Sequence, residues 1–98
     1  MNRRIDLWLW YARFAKTRSL AARLCAAGEI TVNGHTVDKA DTVRVGDEVS
    51  VPQGRLRRTV AVRALGVRRG PPAEARTLYE ETHPPVPLHP QEAWEPLL

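Results

Sequence analysis

The chain has little cysteine and no long apolar run, and each absence excludes a class of protein. Cys25 is its one cysteine, so neither a disulfide framework nor a cysteine metal cluster fits the sequence. No apolar run approaches the length of a membrane-spanning helix, and no signal peptide opens the chain. We therefore expect 98 residues to form one cytoplasmic body without membrane contact.

A catalytic or metal-binding constellation is also missing. The three histidines are scattered, with no partnered nucleophile and no metal-ligand spacing beside them. The acidic residues of the middle segment lie in or beside predicted turns, where such residues are common. We therefore predict a protein that is not an enzyme and that needs no cofactor and no metal. The residues weighed for such roles are His35, His83, His89, Asp38, Asp41, Asp47 and Glu48.

Acidic charge is scarce in the first 70 residues. They contain 14 Lys and Arg against 6 Asp and Glu, a net charge of +8, whereas residues 71–98 carry a net −4. Arginine supplies 13 of the 15 basic residues, and its planar guanidinium suits phosphate oxygens. Together with a pI near 10.0, this composition indicates a polyanionic partner, and nucleic acid fits best.

Apolar spacing predicts two helices near the start of the chain. Residues recurring at intervals of three and four indicate a first helix over 5–14. Thr17 is predicted to cap a second helix that extends to about residue 27, and Gly28 is predicted to end it. The apolar stripe of this second helix is predicted to be Leu20, Ala21, Leu24 and Cys25.

Alternation and turn signals then predict a small sheet. Asn33-Gly34 is a strong hairpin signal, and Pro52 is predicted to end a strand because proline cannot donate to a ladder. A third helix is predicted over 73–81, and the prolines from residue 84 onward predict an extended or disordered tail. The predicted strands are 29–32, 35–37, 48–51 and 58–65.

These elements predict an α+β fold, in which two helices pack on a small, mostly antiparallel sheet and a C-terminal helix follows. Residues 1–66 are predicted to form the binding domain with its strand extension. Residues 67–82 are predicted to be a linker and the third helix. Residues 83–98 are predicted to be a Pro-rich flexible tail.

The connection between the first two helices concentrates positive charge, hydroxyl groups and the free N–H groups that open the second helix. Such groups suit a phosphate backbone better than a base edge, so we predict a backbone clamp for nucleic acid. We call this group the basic corner, and it consists of Arg13, Lys16, Thr17, Arg18, Ser19 and Arg23. Further predicted contacts are Arg4, Asn33, Gly34 and Lys39.

A second basic edge is predicted on the last hairpin, where it would extend the basic corner. Its members are Arg55, Arg57, Arg58 and Arg63. Three other residues, Asp6, Ala22 and Gly28, are predicted to shape the corner without contacting the ligand.

Two sets of short motifs occur in order along residues 4–82. The first set is Arg4-Ile5-Asp6, Leu9, Lys16-Thr17-Arg18-Ser19, Ala22, Gly28, Val32-Asn33-Gly34 and Gly46-Asp47. With it, the sequence resembles the RNA-binding domain named after ribosomal protein S-four, the alpha-L motif. The second set is Trp8-Leu9-Trp10, Ala12-Arg13-Phe14, Lys16-Thr17-Arg18, Arg69-Gly70-Pro71 and Leu78-Tyr79-Glu80-Glu81-Thr82. With it, the sequence resembles the heat shock protein 15 branch of that family.

This resemblance implies two helices on a small sheet, with RNA along the helical junction. It implies that Arg18 and its neighbours contact RNA and that the Asn33-Gly34 turn borders the same surface. Members of this branch bind the free large ribosomal subunit when it still carries a nascent chain on tRNA, and they act without catalysis in rescue and recycling. The implied partner is therefore ribosomal RNA of the large subunit, with tRNA as a further candidate, and we expect a stress-related, monomeric protein.

Two features depart from that branch, and two other functions stay open. Leu7 stands where the branch usually has a lysine, and the tail is short and acidic where better-known members have a long basic helix. A DNA-binding helix-turn-helix regulator, or weak DNA binding, is one alternative, because two short helices with a tight connection invite it. A protein-interaction adaptor acting through the acidic tail is the other.

Overall fold

Capping signals and apolar runs place the helices. The computed structural model describes residues 1–88, so the end of the predicted tail, with His89 and Trp94, lies outside the described residues. Within that range the helices are α1 (Ile5–Tyr11), α2 (Arg18–Ala26) and α3 (Pro72–Ala75), and a single 3₁₀ turn (Arg76–Leu78) follows α3.

The first helix ends three residues earlier than predicted. Arg13 adopts a φ of 65°, in the left-handed region, directly after the C-cap. The N–H of Phe14 donates to the carbonyl of Leu9 at 2.9 Å, and that of Arg13 donates to Trp10 at 3.1 Å. These two bonds form a Schellman motif, in which arginine takes the place that glycine usually fills. The chain therefore turns sharply at Arg13.

Antiparallel pairing organises the strands. The strands of the described chain are β1 (Arg3–Arg4), β2 (Thr31–Val32), β3 (His35–Thr36), β4 (Thr42–Val43), β5 (Glu48–Gln53), β6 (Leu56–Val62), β7 (Tyr79–Glu81) and β8 (Val86–Pro87). The larger sheet has the order β3-β2-β5-β6-β7, β8 also pairs with β6, and β1 pairs separately with β4. The predicted α+β class is confirmed.

Several strand boundaries differ from the prediction, since β2 begins at Thr31, β6 ends at Val62, and the last hairpin extends further toward its turn. β5 runs through Pro52 to Gln53, because β2 pairs only as far as Ser50 and leaves proline at an edge position. β6 begins at Leu56, where its pairing with Gln53 closes the hairpin.

The predicted third helix over 73–81 is wrong in length. Only one short α-helical turn and one 3₁₀ turn form, and Tyr79–Glu81 pairs with β6 as β7. The edge of β6 offers these residues ladder hydrogen bonds, and an isolated short helix gains little from propagation. The Tyr79 ring also packs 4.7 Å from the ring of Phe14, centroid to centroid.

The core lies between the helices and one face of the sheet. The indole N–H of Trp8 donates to the carbonyl of Ala64 at 3.0 Å, which ties α1 to the chain after β6. The largest fully buried side chains are Trp8, Ile5, Leu9, Ile30, Val43, Val49, Val51, Val60 and Val62. No helix within residues 1–88 combines the length and the apolar content that crossing a bilayer requires.

Candidate nucleic-acid interface

The start of α2 presents an exposed, polar surface. Thr17 caps the helix by accepting a hydrogen bond from the N–H of Leu20 at 3.0 Å, as predicted. Lys16, Arg18 and Ser19 are exposed around this cap. The first N–H groups of a helix lack partners within it and carry partial positive charge. This end of α2 therefore offers donors and cations to an anion.

A buried carboxylate organises two arginines beside that surface. Arg4 donates to Asp6 through Nε, at 3.1 Å to Oδ1, and through Nη2, at 3.0 Å to Oδ2. Nε of Arg18 lies 3.7 Å from Oδ2 of Asp6. The Asp6 side chain is only 4% exposed, whereas those of Arg4 and Arg18 are 44% and 47% exposed. Asp6 is thus buried beneath two arginines whose side chains remain half-exposed.

Lys16 and Arg23 of the basic corner are uncommitted. Among residues 1–88, neither side chain makes a hydrogen bond or an ion pair, and the same holds for Lys39. Two further exposed arginines without such partners, Arg44 and Arg76, were not among the predicted contacts. Lys16 and Arg23 can exchange a counterion for a phosphate without first breaking a protein contact.

Arg13 is the member of the basic corner that the structure commits elsewhere. Its Nε donates to the carbonyl of Gly70 at 2.7 Å and so ties the segment after β6 to the turn after α1. Arg69 strengthens the same attachment. It donates to the carbonyls of Trp10 at 3.1 Å and Ala15 at 3.3 Å, and it lies 5.7 Å from a Trp10 ring centroid. The sequence analysis includes Arg69 in a family motif but assigns it no contact, because its partners are more than fifty positions away.

The Asn33-Gly34 hairpin turn forms as predicted, but the Asn33 side chain serves the fold. Asn33 has a φ of 52°, and its amide oxygen accepts from the N–H of Glu48 at 2.9 Å. Its amide nitrogen donates to Oδ1 of Asp47 at 3.2 Å. The side chain therefore links the turn to the start of β5.

The second basic edge is largely paired with carboxylates. Arg58 donates to both carboxylate oxygens of Glu81 at 2.9 Å, and Arg63 binds Glu80. Through its side-chain hydrogen bond, Arg58 lowers the pKa of the Glu81 carboxyl, and Glu81 raises the pKa of Arg58.

Arg57 is likewise engaged by contacts within the protein. It donates to the carbonyl of Glu29 and to Oγ of Ser50, both at 3.1 Å, and its Nη2 lies 3.7 Å from the Glu29 carboxylate. Arg55 also interacts within the protein. Arg58 of this edge and Arg13 of the basic corner line the same cavity, but contacts within the protein engage both side chains.

The two remaining residues that are predicted to shape the corner lie on α2 and at its end. Ala22 is half-buried, and its small side chain suits the close packing of the helices. Gly28, with a φ of 75°, ends α2 through a second Schellman motif, in which Glu29 donates to the carbonyl of Leu24 at 3.0 Å.

Over residues 1–88, no group of three His, Cys, Asp or Glu side chains is placed to hold a metal ion. Burial raises the pKa of the Cys25 thiol to about 11, and the carboxylates of Asp6, Asp38 and Asp41 add to that rise. This thiol is therefore protonated near neutral pH and is a poor nucleophile.

The fold and the capped, cationic turn between α1 and α2 define an S4-domain protein. A family model described as the S4 domain matches residues 3–49. Heat shock protein 15 of Escherichia coli K12 is 42% identical over 79 residues, which cover 81% of this chain and 59% of that protein. A homologue of heat shock protein 15 from Haemophilus influenzae is 35% identical over 91 residues, which cover 93% of this chain and 70% of that protein. The chain therefore belongs to the heat shock protein 15 family, and it spans about 59% of the length of the Escherichia coli relative.

Two further matches agree with this assignment. The structure of heat shock protein 15 from Vibrio cholerae, solved as a trimer, superimposes with a TM-score of 0.80 at 35% identity, covering 84% of this chain and 83% of that one. A protein of Halalkalibacterium halodurans named RQC P-site tRNA stabilizing factor is 38% identical over 79 residues, which cover 79% of this chain and 86% of that protein.

Proposed function

We propose that the chain is a non-catalytic, cytoplasmic RNA-binding protein that binds ribosomal RNA of the large subunit. There it would act in rescue or recycling of stalled particles that carry a nascent chain on tRNA. The observation that carries the RNA-binding proposal is the buried Asp6, which orients the half-exposed Arg4 and Arg18 next to the uncommitted Lys16. The name of the Halalkalibacterium relative supports the step from RNA to tRNA-carrying particles.

The proposed clamp works by position and charge. Lys16 is a point charge on a flexible stem, whereas the Arg18 guanidinium is held near Asp6 by an ion pair at 3.7 Å. Ser19 and the first N–H groups of α2 add short-range donors to the same phosphates. Arg23 extends the cationic surface along α2.

The remaining predicted contacts divide into two groups. Gly34, in the hairpin turn, and Lys39 stay predicted contacts. Arg13 and Asn33 would act through the fold, because their side chains already bond Gly70 and Glu48. The second basic edge stays a prediction as well, with most of its charge balanced by carboxylates.

The salt dependence of binding tests the clamp. Lys16→Ala and Arg18→Ala should each weaken binding to purified large-subunit ribosomal RNA. Each should also reduce the slope of log K against log salt by about one phosphate contact, roughly 0.7 to 0.9. Filter binding or anisotropy over a salt series measures both effects. An unchanged slope in the double variant would place the site elsewhere.

Arg44→Ala is the matched control. It removes the same charge from an exposed arginine without side-chain partners in the described chain. Arg44 lines a separate cavity with Val45 and Val67, and no residue of the basic corner contributes to that cavity. This variant should keep the full slope, so a general effect of net charge is separated from a specific contact.

The two alternative functions, DNA binding and a protein-interaction adaptor, have less support. The exposed polar side chains of α2 are Arg18, Ser19 and Arg23, fewer than a base-reading helix needs, and none of the relatives above has a name that refers to DNA. The adaptor role of the acidic tail falls largely on residues outside those described and stays a prediction. So does the monomeric state, which light scattering would test directly, since the Vibrio cholerae relative was solved as a trimer.

A further inference from the structure

A groove runs beside the basic corner, between α2 and the end of the β5–β6 hairpin. Leu20 and Leu24 of α2 form one wall, and residues 52–54 form the other. Lys16 lies at the same groove, which has a volume of about 480 Å³. That volume is within the range of small-molecule sites, roughly 300 to 1,000 Å³. The groove is therefore continuous with the proposed phosphate clamp and large enough for one nucleoside.

The apolar wall of the groove is partly exposed, although the sequence predicts that Leu20 and Leu24 belong to the buried stripe of α2. Ala21 and Cys25 are buried, as the apolar stripe of α2 requires, but Leu20 and Leu24 are only half-buried. Packing thus leaves apolar surface open next to a cation. An unpaired nucleotide complements this surface, because it joins the apolar face of a base to an anionic phosphate.

Gln53 gives the groove an oriented polar group. Its side-chain oxygen accepts from Nη1 of Arg58 at 2.6 Å. Arg58 is itself fixed by Glu81 and lies 5.3 Å from the ring centroid of Phe14 and 5.6 Å from that of Tyr79. With its oxygen occupied, the Gln53 amide retains its NH₂ group as a donor at the wall of the groove.

We propose that this groove binds one unpaired nucleotide of the RNA held by the basic corner. The base would lie against Leu20 and Leu24, its 5′ or 3′ phosphate would contact Lys16, and the Gln53 amide would donate to an acceptor on the base edge. This inference rests on the proposed function, because the clamp delivers the RNA. It adds a preference for RNA with a bulged or flanking unpaired nucleotide over a continuous duplex.

Two RNA hairpins that differ only by a single bulged uridine provide the test. The natural protein should bind the bulged hairpin about tenfold more tightly, as expected for one base that gains stacking or apolar contact. Gln53→Ala and Leu24→Ala should each reduce that ratio to about threefold or less. With 4-thiouridine at the bulge, crosslinks mapped by mass spectrometry should fall on α2 or on residues 52–54.

Arg23→Ala is the matched control, because Arg23 lies on α2 but does not line the groove. It should weaken binding to both hairpins and keep their ratio. Three results would each contradict nucleotide binding in the groove. They are a ratio near one for the natural protein, a ratio unaffected by Gln53→Ala, and crosslinks confined to other segments. Failure of the clamp looks different, since Lys16→Ala and Arg18→Ala would then leave binding to both hairpins unchanged.

Discussion

Arg4 donates hydrogen bonds to both carboxylate oxygens of Asp6, although only Ile5 separates the two residues in the chain. Such a bidentate pair fixes the plane of the guanidinium as well as its position. Because Asp6 also lies in the first turn of α1, its negative charge interacts favourably with the positive end of the helix dipole. One buried carboxylate therefore stabilises the start of α1 and orients the arginines of the interface.

Asp6→Asn should destabilise the protein by about 1 to 3 kcal/mol, since charge-assisted hydrogen bonds from Arg4 are lost. Urea denaturation followed by circular dichroism measures the change. RNA binding should weaken because Arg4 and Arg18 lose their orientation, while the salt slope should remain, because both cations are still present. Unchanged stability would mean that the pair contributes no more than an ordinary surface ion pair.

Asn33→Ala should cost about 2 kcal/mol of stability through two separate effects. Alanine disfavours the φ of 52° at this position, and the bond to the N–H of Glu48 is lost. Asn33→Gly removes the same side chain but tolerates the left-handed backbone, so it should cost less. Urea midpoints of the two variants separate backbone strain from the lost hydrogen bonds, and equal midpoints would contradict a contribution from strain.

Local signals in the sequence were sufficient for the features that depend on neighbouring residues. Thr17 caps α2, Gly28 ends it, and Asn33-Gly34 forms the turn, because each of these contacts spans only a few positions. The early end of α1, at Tyr11, is not predicted because the local signal at this position is absent. A left-handed residue is expected to be glycine, and Arg13 takes that conformation instead.

Non-local contacts account for most other differences. Residues 79–81 have enough helix propensity to extend a helix, but the free edge of β6 converts them to strand. The Arg58–Glu81 pair joins residues 23 positions apart and the Arg13–Gly70 bond joins residues 57 apart. Composition identifies such arginines as basic, but only the fold decides which of them are neutralised and which face solvent.

Glu81 should make part of the stability depend on acidic pH. The hydrogen bond from Arg58 holds the pKa of the Glu81 carboxyl below its ordinary value of 4.5. The folded state therefore gains stability from the ionised carboxylate at pH above 4.5, and this gain is lost as the pH falls through the lowered pKa. Glu81→Gln should be less stable at neutral pH and should lose less stability on acidification than the natural protein does.

Denaturation midpoints at pH 7 and at pH 3 measure this difference. Arg58→Ala should flatten the acid response in the same way, and the double variant should add little to either single change, since both remove one interaction. The effect should be small, because the carboxylate is about a third exposed and screened by water. Equal acid responses in the natural protein and in Glu81→Gln would contradict the pairing.

Gly66 and Gly28 allow backbone strain to be separated from packing. Both have a φ of 75°, so alanine at either position meets the same left-handed penalty of about 1 to 2 kcal/mol. A Cβ at Gly28 would meet nothing within 4 Å, whereas one at Gly66 would lie 3.1 Å from Cδ1 of Leu78 and 3.2 Å from Cδ2 of Tyr11. Gly66→Ala should therefore be less stable than Gly28→Ala by about 1 to 3 kcal/mol in urea denaturation. If the two variants were equally stable, the side chains of Leu78 and Tyr11 would have room to move away from the added methyl group.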